Sequence, residues 1–97
     1  MKKFSIKKQI TKSNTEKLSK KSAGVYKIND SKGETLYIGK AKAGRLGERI
    51  YEHKGHFKGG TNFRYQETGT VGKAERLERK LIKQEKPPRN RMLKRKR

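Results

Sequence analysis

Hydrophobic and polar positions change rhythm several times along the chain. From Ala23 to Ile28, Val25 and Lys27 alternate with Tyr26 and Ile28, the period of two that predicts a strand. Thr35 to Gly39 repeats that rhythm, and the turn formers Asn29 to Gly33 between the two runs predict an antiparallel hairpin with a loop of several residues. From Gly44 to Lys54 the spacing lengthens. Leu46, Ile50, His53 and then Phe57 fall three or four apart, on one side of a short helix that Gly55 would stop. Lys58 to Thr61 reads as a loop, and Asn62 to Thr68, with Phe63 and Tyr65 alternating with polar residues, as a third strand. Thr70 to Glu85 is the clearest helix: at about 100° per residue, Val71, Ala74, Leu77, Leu81 and Ile82 form one apolar arc. The opposite face carries Lys73, Arg76, Arg79, Lys80 and Lys83, all basic.

Charge divides the chain further. Among 97 residues, 29 Lys and Arg against nine Asp and Glu give a formal net charge of +20, and only 28% of residues are hydrophobic. Residues 1–22 hold eight Lys against Glu16 alone, and residues 86–97 hold seven Lys or Arg with no acid, while most large apolar residues lie between. The expected organisation is a flexible basic arm over 1–22, a folded domain over 23–90 and a basic tail over 91–97. Arms of this sign seek phosphate, with affinity that falls steeply as salt rises. Nucleic acid is the expected partner; the arms lack the apolar face that would settle a helix into an anionic membrane. Without Cys there is neither a disulfide framework nor a Cys-based zinc site, and two His are too few for a His-rich cage. Met1 to Thr11 is basic but has no apolar segment behind it, and no window has the length of a membrane span. The expected location is intracellular, cytoplasmic or nucleoid-associated.

Single residues add candidate chemistry. Glu78 falls inside the apolar arc of the last helix, where lost hydration costs several kcal/mol unless a cation or hydrogen bonds compensate. A buried salt bridge to an Arg, an escape to water at the arc's edge, or a metal or catalytic role all satisfy that demand. Glu85 also points toward the arc, but beside Lys86-Pro87-Pro88 it is expected to reach solvent. Arg49 and His53 are four apart on one helical face, a guanidinium able to hold two phosphate oxygens beside an imidazole able to relay a proton. A surface Arg near a packed His is the plainer alternative. Tyr26 and Tyr37 read first as strand packing, Asn90 as a turn after two prolines, and His56 has no evident partner. Dinucleotide, P-loop, paired-His and Ser-elbow signatures do not occur.

Together these residues resemble the GIY-YIG nuclease family. Gly24-Val25-Tyr26 is similar to the first half of the name motif, and Tyr37-Ile38-Gly39 followed by Lys40 to the second; ten residues separate the two tyrosines. Arg49 to His53 is similar to the family's helical Arg and companion His, and Ala74 to Ile82 to its metal-binding helix. Pro87-Pro88-Arg89-Asn90, ending twelve residues beyond Glu78, is similar to its closing motif. The resemblance spans Gly24 to Asn90.

What the resemblance implies is an α/β (α+β) fold, a small three-stranded antiparallel sheet flanked by helices, and Mg²⁺-dependent phosphodiester hydrolysis of DNA, as in repair or recombination. Tyr26 would be the general base relieved by His53, its high phenol pKa lowered by Lys40, Arg49 or the metal. Tyr37 would orient or assist. Glu78 would hold Mg²⁺, or Mn²⁺ in its place, Arg49 and Lys40 would meet charge on the phosphate, and Asn90 would brace the site with Gly24 and Gly39. Arg45 is an alternative to Arg49. Lys42, Arg45 and the basic face of the last helix, Lys73, Arg76, Arg79, Lys80 and Lys83, would track the DNA backbone with weak sequence selectivity or a preference for a nick, flap or branch. Site choice would then fall to the arms, a second protomer or a separate targeting subunit. A non-catalytic DNA- or RNA-binding protein on the same fold, or a structural partner of a nucleoprotein, has the same charge; Glu78 separates the readings, since an acid facing phosphate is repelled unless a cation intervenes.

Overall fold

The computed structural model describes residues 4–5, 7–18, 22–54 and 59–90. It is a mixed α/β structure built on one antiparallel sheet. Strand β1 is Lys8–Gln9, helix α1 Lys12–Glu16, β2 Gly24–Asn29, β3 Thr35–Ala41, α2 Leu46–Glu52, β4 Asn62–Glu67 and α3 Val71–Glu85. The strand order is β1-β4-β2-β3, so β2 is central and β3 is an edge.

The hairpin forms where turn chemistry asks for it. Asp30 Oδ1 accepts from the backbone N–H groups of Lys32 and Glu34, both at 2.9 Å, and Gly33 takes the left-handed φ of 92° that closes the loop. The resulting register sets Tyr26 opposite Gly39 on one side and Tyr65 on the other. Alternation along β2 then sends Tyr26 and Ile28 to one face and Val25 to the other. On the first face they pack with Ile10, Leu18, Leu46, Ile50 and Phe63 beneath α1 and α2; on the second, Val25, Ile38 and Ala74 pack with Phe4, Leu77, Leu81 and Ile82 along α3.

Four strands stand where three were expected, and the N-terminal segment accounts for the difference. Residues 4–5 and 7–18 are not an unpacked arm. Ser5 donates its N–H to the Tyr65 carbonyl (2.8 Å) and accepts the Tyr65 N–H on its hydroxyl (3.1 Å), β1 pairs with β4, and Ile10 and Leu18 are 4% and 5% exposed. Two apolar side chains set in a lysine-rich run suffice because each closes a gap at the end of an existing core. A two-residue strand carries no period, so nothing in the alternation announces it. Residues 1–3, 19–21 and the tail 91–97 lie outside the described residues, as do Gly55, His56 and Phe57.

Helix α3 starts at the Thr70 cap, whose Oγ1 accepts from Lys73 N at 3.2 Å, and ends at Lys86 in left-handed conformation before the buried Pro87. One expectation for this helix is corrected. Val71, placed in the apolar arc, is 41% exposed because it lies in the first turn, beyond the reach of the sheet. Glu85 is exposed, as expected beside Lys86-Pro87-Pro88, and pairs there with Lys27 of β2, whose Nζ lies 2.8 Å from Glu85 Oε2 and 4.5 Å from the centroid of the Phe4 ring. Among the described residues no helix is long and apolar enough to cross a membrane.

Candidate active site

The centre of the site is a buried aromatic cluster. Tyr26 is fully buried at the middle of β2, and its hydroxyl lies 2.8 Å from His53 Nε2. His53 is held there as the C-cap of α2, whose Leu46 and Ile50 are buried. Tyr37 packs on both partners, with ring centroids 6.2 Å from Tyr26 and 4.9 Å from His53. Gly39 makes room for this arrangement: a Cβ there would stand 2.5 Å from Tyr26 Cζ and hydroxyl oxygen. Gly24 lets β2 pass close to its neighbour, since a Cβ would come within 2.7 Å of the Gln66 carbonyl oxygen.

Electrostatics here run against one expectation. Burial pushes the Tyr26 hydroxyl well above the usual phenol range, nearby Tyr37 adds to the shift, and the Arg49 guanidinium only partly opposes it. Tyr37 is raised as well, first by burial and then by the Glu78 carboxylate. Among the protein groups, desolvation of the Tyr26 anion outweighs the cations nearby, so Arg49 does not bring the hydroxyl below the usual phenol range, and His53 Nε2 is the group in place to take its proton.

Beside the cluster runs a groove of about 480 Å³ that crosses from α2 over the edge strand to α3. Strand β3 contributes Tyr37 and Lys40, the following loop Lys42, the α2 region Arg45 and Arg49, and α3 Val71, Glu75 and Glu78. Glu78 Oε1 lies 3.5 Å from Lys40 Nζ, with the two side chains 19% and 38% exposed, so the acid flagged by helix geometry meets a lysine rather than an arginine and remains open to the groove. Arg49 is 3.4 Å from Glu52, and Arg45 pairs with Glu48 and, at 4.0 Å, with Glu52. Both arginines face the groove, one helical turn apart. Tyr26 does not line it; Tyr37 is the tyrosine at its wall.

Asn90 sits behind β3. Its Oδ1 accepts the Ile38 N–H at 2.7 Å and its Nδ2 donates to the Ile38 carbonyl at 2.8 Å, so a side-chain amide takes the hydrogen bonds that a further strand would make. That clamp holds the backbone between Tyr37 and Gly39, and its specificity goes beyond the turn suggested by the two prolines. The basic residues of α3 divide. Lys73 lies on the flank away from the groove with Leu77, and Arg76, Arg79, Lys80 and Lys83 are exposed; none of the five has an ion pair among the described residues.

Glu75 and Val71 are groove residues that sequence reading did not single out, although Glu75, one turn before Glu78, shares its side of the helix. Among the described residues no three His, Asp or Glu side chains gather as a metal cage. The donor set fits a different kind of site. Mg²⁺ commonly takes one or two carboxylates and completes its shell with water and substrate phosphate, and Glu78, open to a cationic groove, is such a carboxylate. No model of a known protein family matches the chain, and no curated protein matches it.

Proposed function

We propose that the protein is a metal-dependent DNA endonuclease of GIY-YIG type that hydrolyses phosphodiester bonds in the groove between α2 and α3. One observation carries the reading: a carboxylate, Glu78, opens into a groove otherwise rich in cations, beside a buried tyrosine whose hydroxyl is hydrogen-bonded to a histidine. Lys40, Arg45 and Arg49 meet the oxygens of the phosphate and the charge that develops on them. Tyr37, at the groove wall, orients the attacking water. As the water oxygen bonds to phosphorus and the bond to the 3′ oxygen breaks, the water's proton passes to Tyr37 at the groove wall, the Tyr37 proton to Tyr26 behind it and the Tyr26 proton to His53 Nε2, while the departing 3′ oxygen takes a proton from solvent water. Each tyrosine gives up one proton as it takes another, so Tyr26 acts as a base without becoming a free phenolate. Glu78 would hold a Mg²⁺ or Mn²⁺ ion, which would supply stabilisation of the charge on the departing 3′ oxygen. Gly39 and Asn90 position these groups without touching substrate.

A second reading is a non-catalytic DNA- or RNA-binding protein. The Lys40–Glu78 pair favours it, because an acid already held by a lysine costs a binder little. Oligonucleotide binding and cleavage measured side by side separate the two. For the nuclease, Glu78→Ala abolishes Mg²⁺-dependent cleavage and leaves binding near normal; for the binder, the same change tightens binding and there is no cleavage to lose.

A further inference from the structure

Resting on the nuclease reading, we propose that the cleft between α1 and α2 is a subsite for the base of an unpaired nucleotide next to the bond that is cut, so that the preferred substrate has a single-stranded flap, gap or tail. The cleft, about 480 Å³, is as large as the active groove, and Arg45 lines both. Arg45 stands at the border of the two, so a strand whose cleaved phosphate lies by Glu78, Arg49 and Arg45 can continue past Arg45 and reach the cleft with its next base.

The cleft is built for a base rather than for phosphate. Tyr51 lines it and is 39% exposed, one of only two exposed large hydrophobics among the described residues. It belongs to neither core cluster, and Lys54 Nζ lies 5.6 Å from its ring centroid. An exposed aromatic ring beside a cation is a stacking platform for any nucleobase. The cleft is not a phosphate site by charge: Glu16 balances Lys12, Glu48 is paired with Arg45, and the Glu16 carboxylate can accept hydrogen bonds from the exocyclic amino groups of bases. The floor is closed, since Gly47 brings α2 so near the Thr15 carbonyl that a Cβ has no room. A paired base buries its faces between neighbours and its Watson–Crick edge in its partner, so this chemistry selects an unpaired nucleotide. A second copy of the chain is a poorer occupant: among the described residues the other exposed large apolar side chain, Val71, lines the other groove and does not extend the Tyr51 surface.

The test uses the full chain and a fluorescent duplex with a single-stranded tail whose nucleotides are replaced one at a time by an abasic linker. Binding is read in EDTA by anisotropy, and cleavage separately in Mg²⁺. At one tail position next to the duplex the abasic linker weakens wild-type binding about tenfold. Tyr51→Ala loses that sensitivity, and Tyr51→Phe and Tyr51→Trp retain it, which excludes misfolding as the cause. Equal sensitivity in wild type and Tyr51→Ala, no sensitive position, or binding of the fully paired duplex as tight as that of the tailed one overturns the proposal. Because the binding arm is metal-free, it stands or falls without cleavage; absent cleavage in Mg²⁺ would instead overturn the nuclease reading.

Discussion

Gly39 faces Tyr26 across the β2–β3 pair so closely that the tyrosine ring occupies the space a side chain would need. Gly39→Ala has to push the Tyr26 ring off His53, at a cost of about 1–3 kcal/mol for an overpacked core. The variant is expected to fold, to unfold at lower denaturant concentration, and to lose cleavage far beyond what its stability loss accounts for. Denaturant titration beside a cleavage assay checks both parts.

The raised pKa of Tyr26 has its own signature. A group protonated in the fold and ionised above pH 10 when unfolded binds more protons in the native state over that range, so stability is full below pH 10 and falls as pH rises through the folded-state value. Tyr26→Phe removes this contribution. Its unfolding free energy is expected to decline less steeply above pH 10 than that of the wild type, measured by denaturant titration at a series of alkaline pH values.

Asn90 makes two short hydrogen bonds to the backbone of Ile38, and Asn90→Ala leaves both groups without a partner in a buried setting. At about 1–3 kcal/mol for each orphaned group, the loss is roughly 2–6 kcal/mol. Hydrogen exchange is expected to accelerate most along β3. Asn90→Asp keeps the acceptor but not the donor, and should also be destabilised.

The N-terminal segment is part of the fold. Removing residues 1–18 deletes Ile10 and Leu18, which together contribute about 3 kcal/mol or more by burial alone, a large share of a small domain's stability. The truncated chain is expected to be marginally folded, with a broadened or absent thermal transition. Had the segment been a free arm, only nucleic-acid affinity would fall.

Neutralising Lys73, Arg76 and Lys80, which have no ion pair among the described residues, should weaken DNA binding without regard to sequence. The slope of log affinity against log salt should flatten by roughly 0.9 for each phosphate contact removed. Salt titration of binding measures it, and cleavage at saturating protein and low salt should persist.

Much of this was legible in the sequence because it has a period or a spacing. The hairpin, β4 and α3 follow from alternation, turn residues and the apolar arc, and Glu78 stood out because an acid in that arc needs a partner. What could not be read lies at longer range. Strand β1 is too short to show a period, and Ile10 and Leu18 look like isolated apolar residues until α2 and the sheet are in place. The Lys27–Glu85 pair joins residues distant in the chain, and no local pattern marks it. The direction of the Tyr26 pKa depends on how far burial outweighs Arg49, which only the packed site decides. Spacing favours Arg49, four residues before His53, over Arg45, yet both reach the groove.

The central claim, that Glu78 and the Tyr26–His53 pair serve phosphodiester hydrolysis, is tested most directly by incubating the purified full chain with supercoiled plasmid in Mg²⁺, in Mn²⁺ and in EDTA, beside Glu78→Ala. Metal-dependent conversion of supercoiled to nicked DNA by the wild type, absent in EDTA and in the variant, is the predicted result. Nicking that persists in Glu78→Ala, or in EDTA, contradicts it.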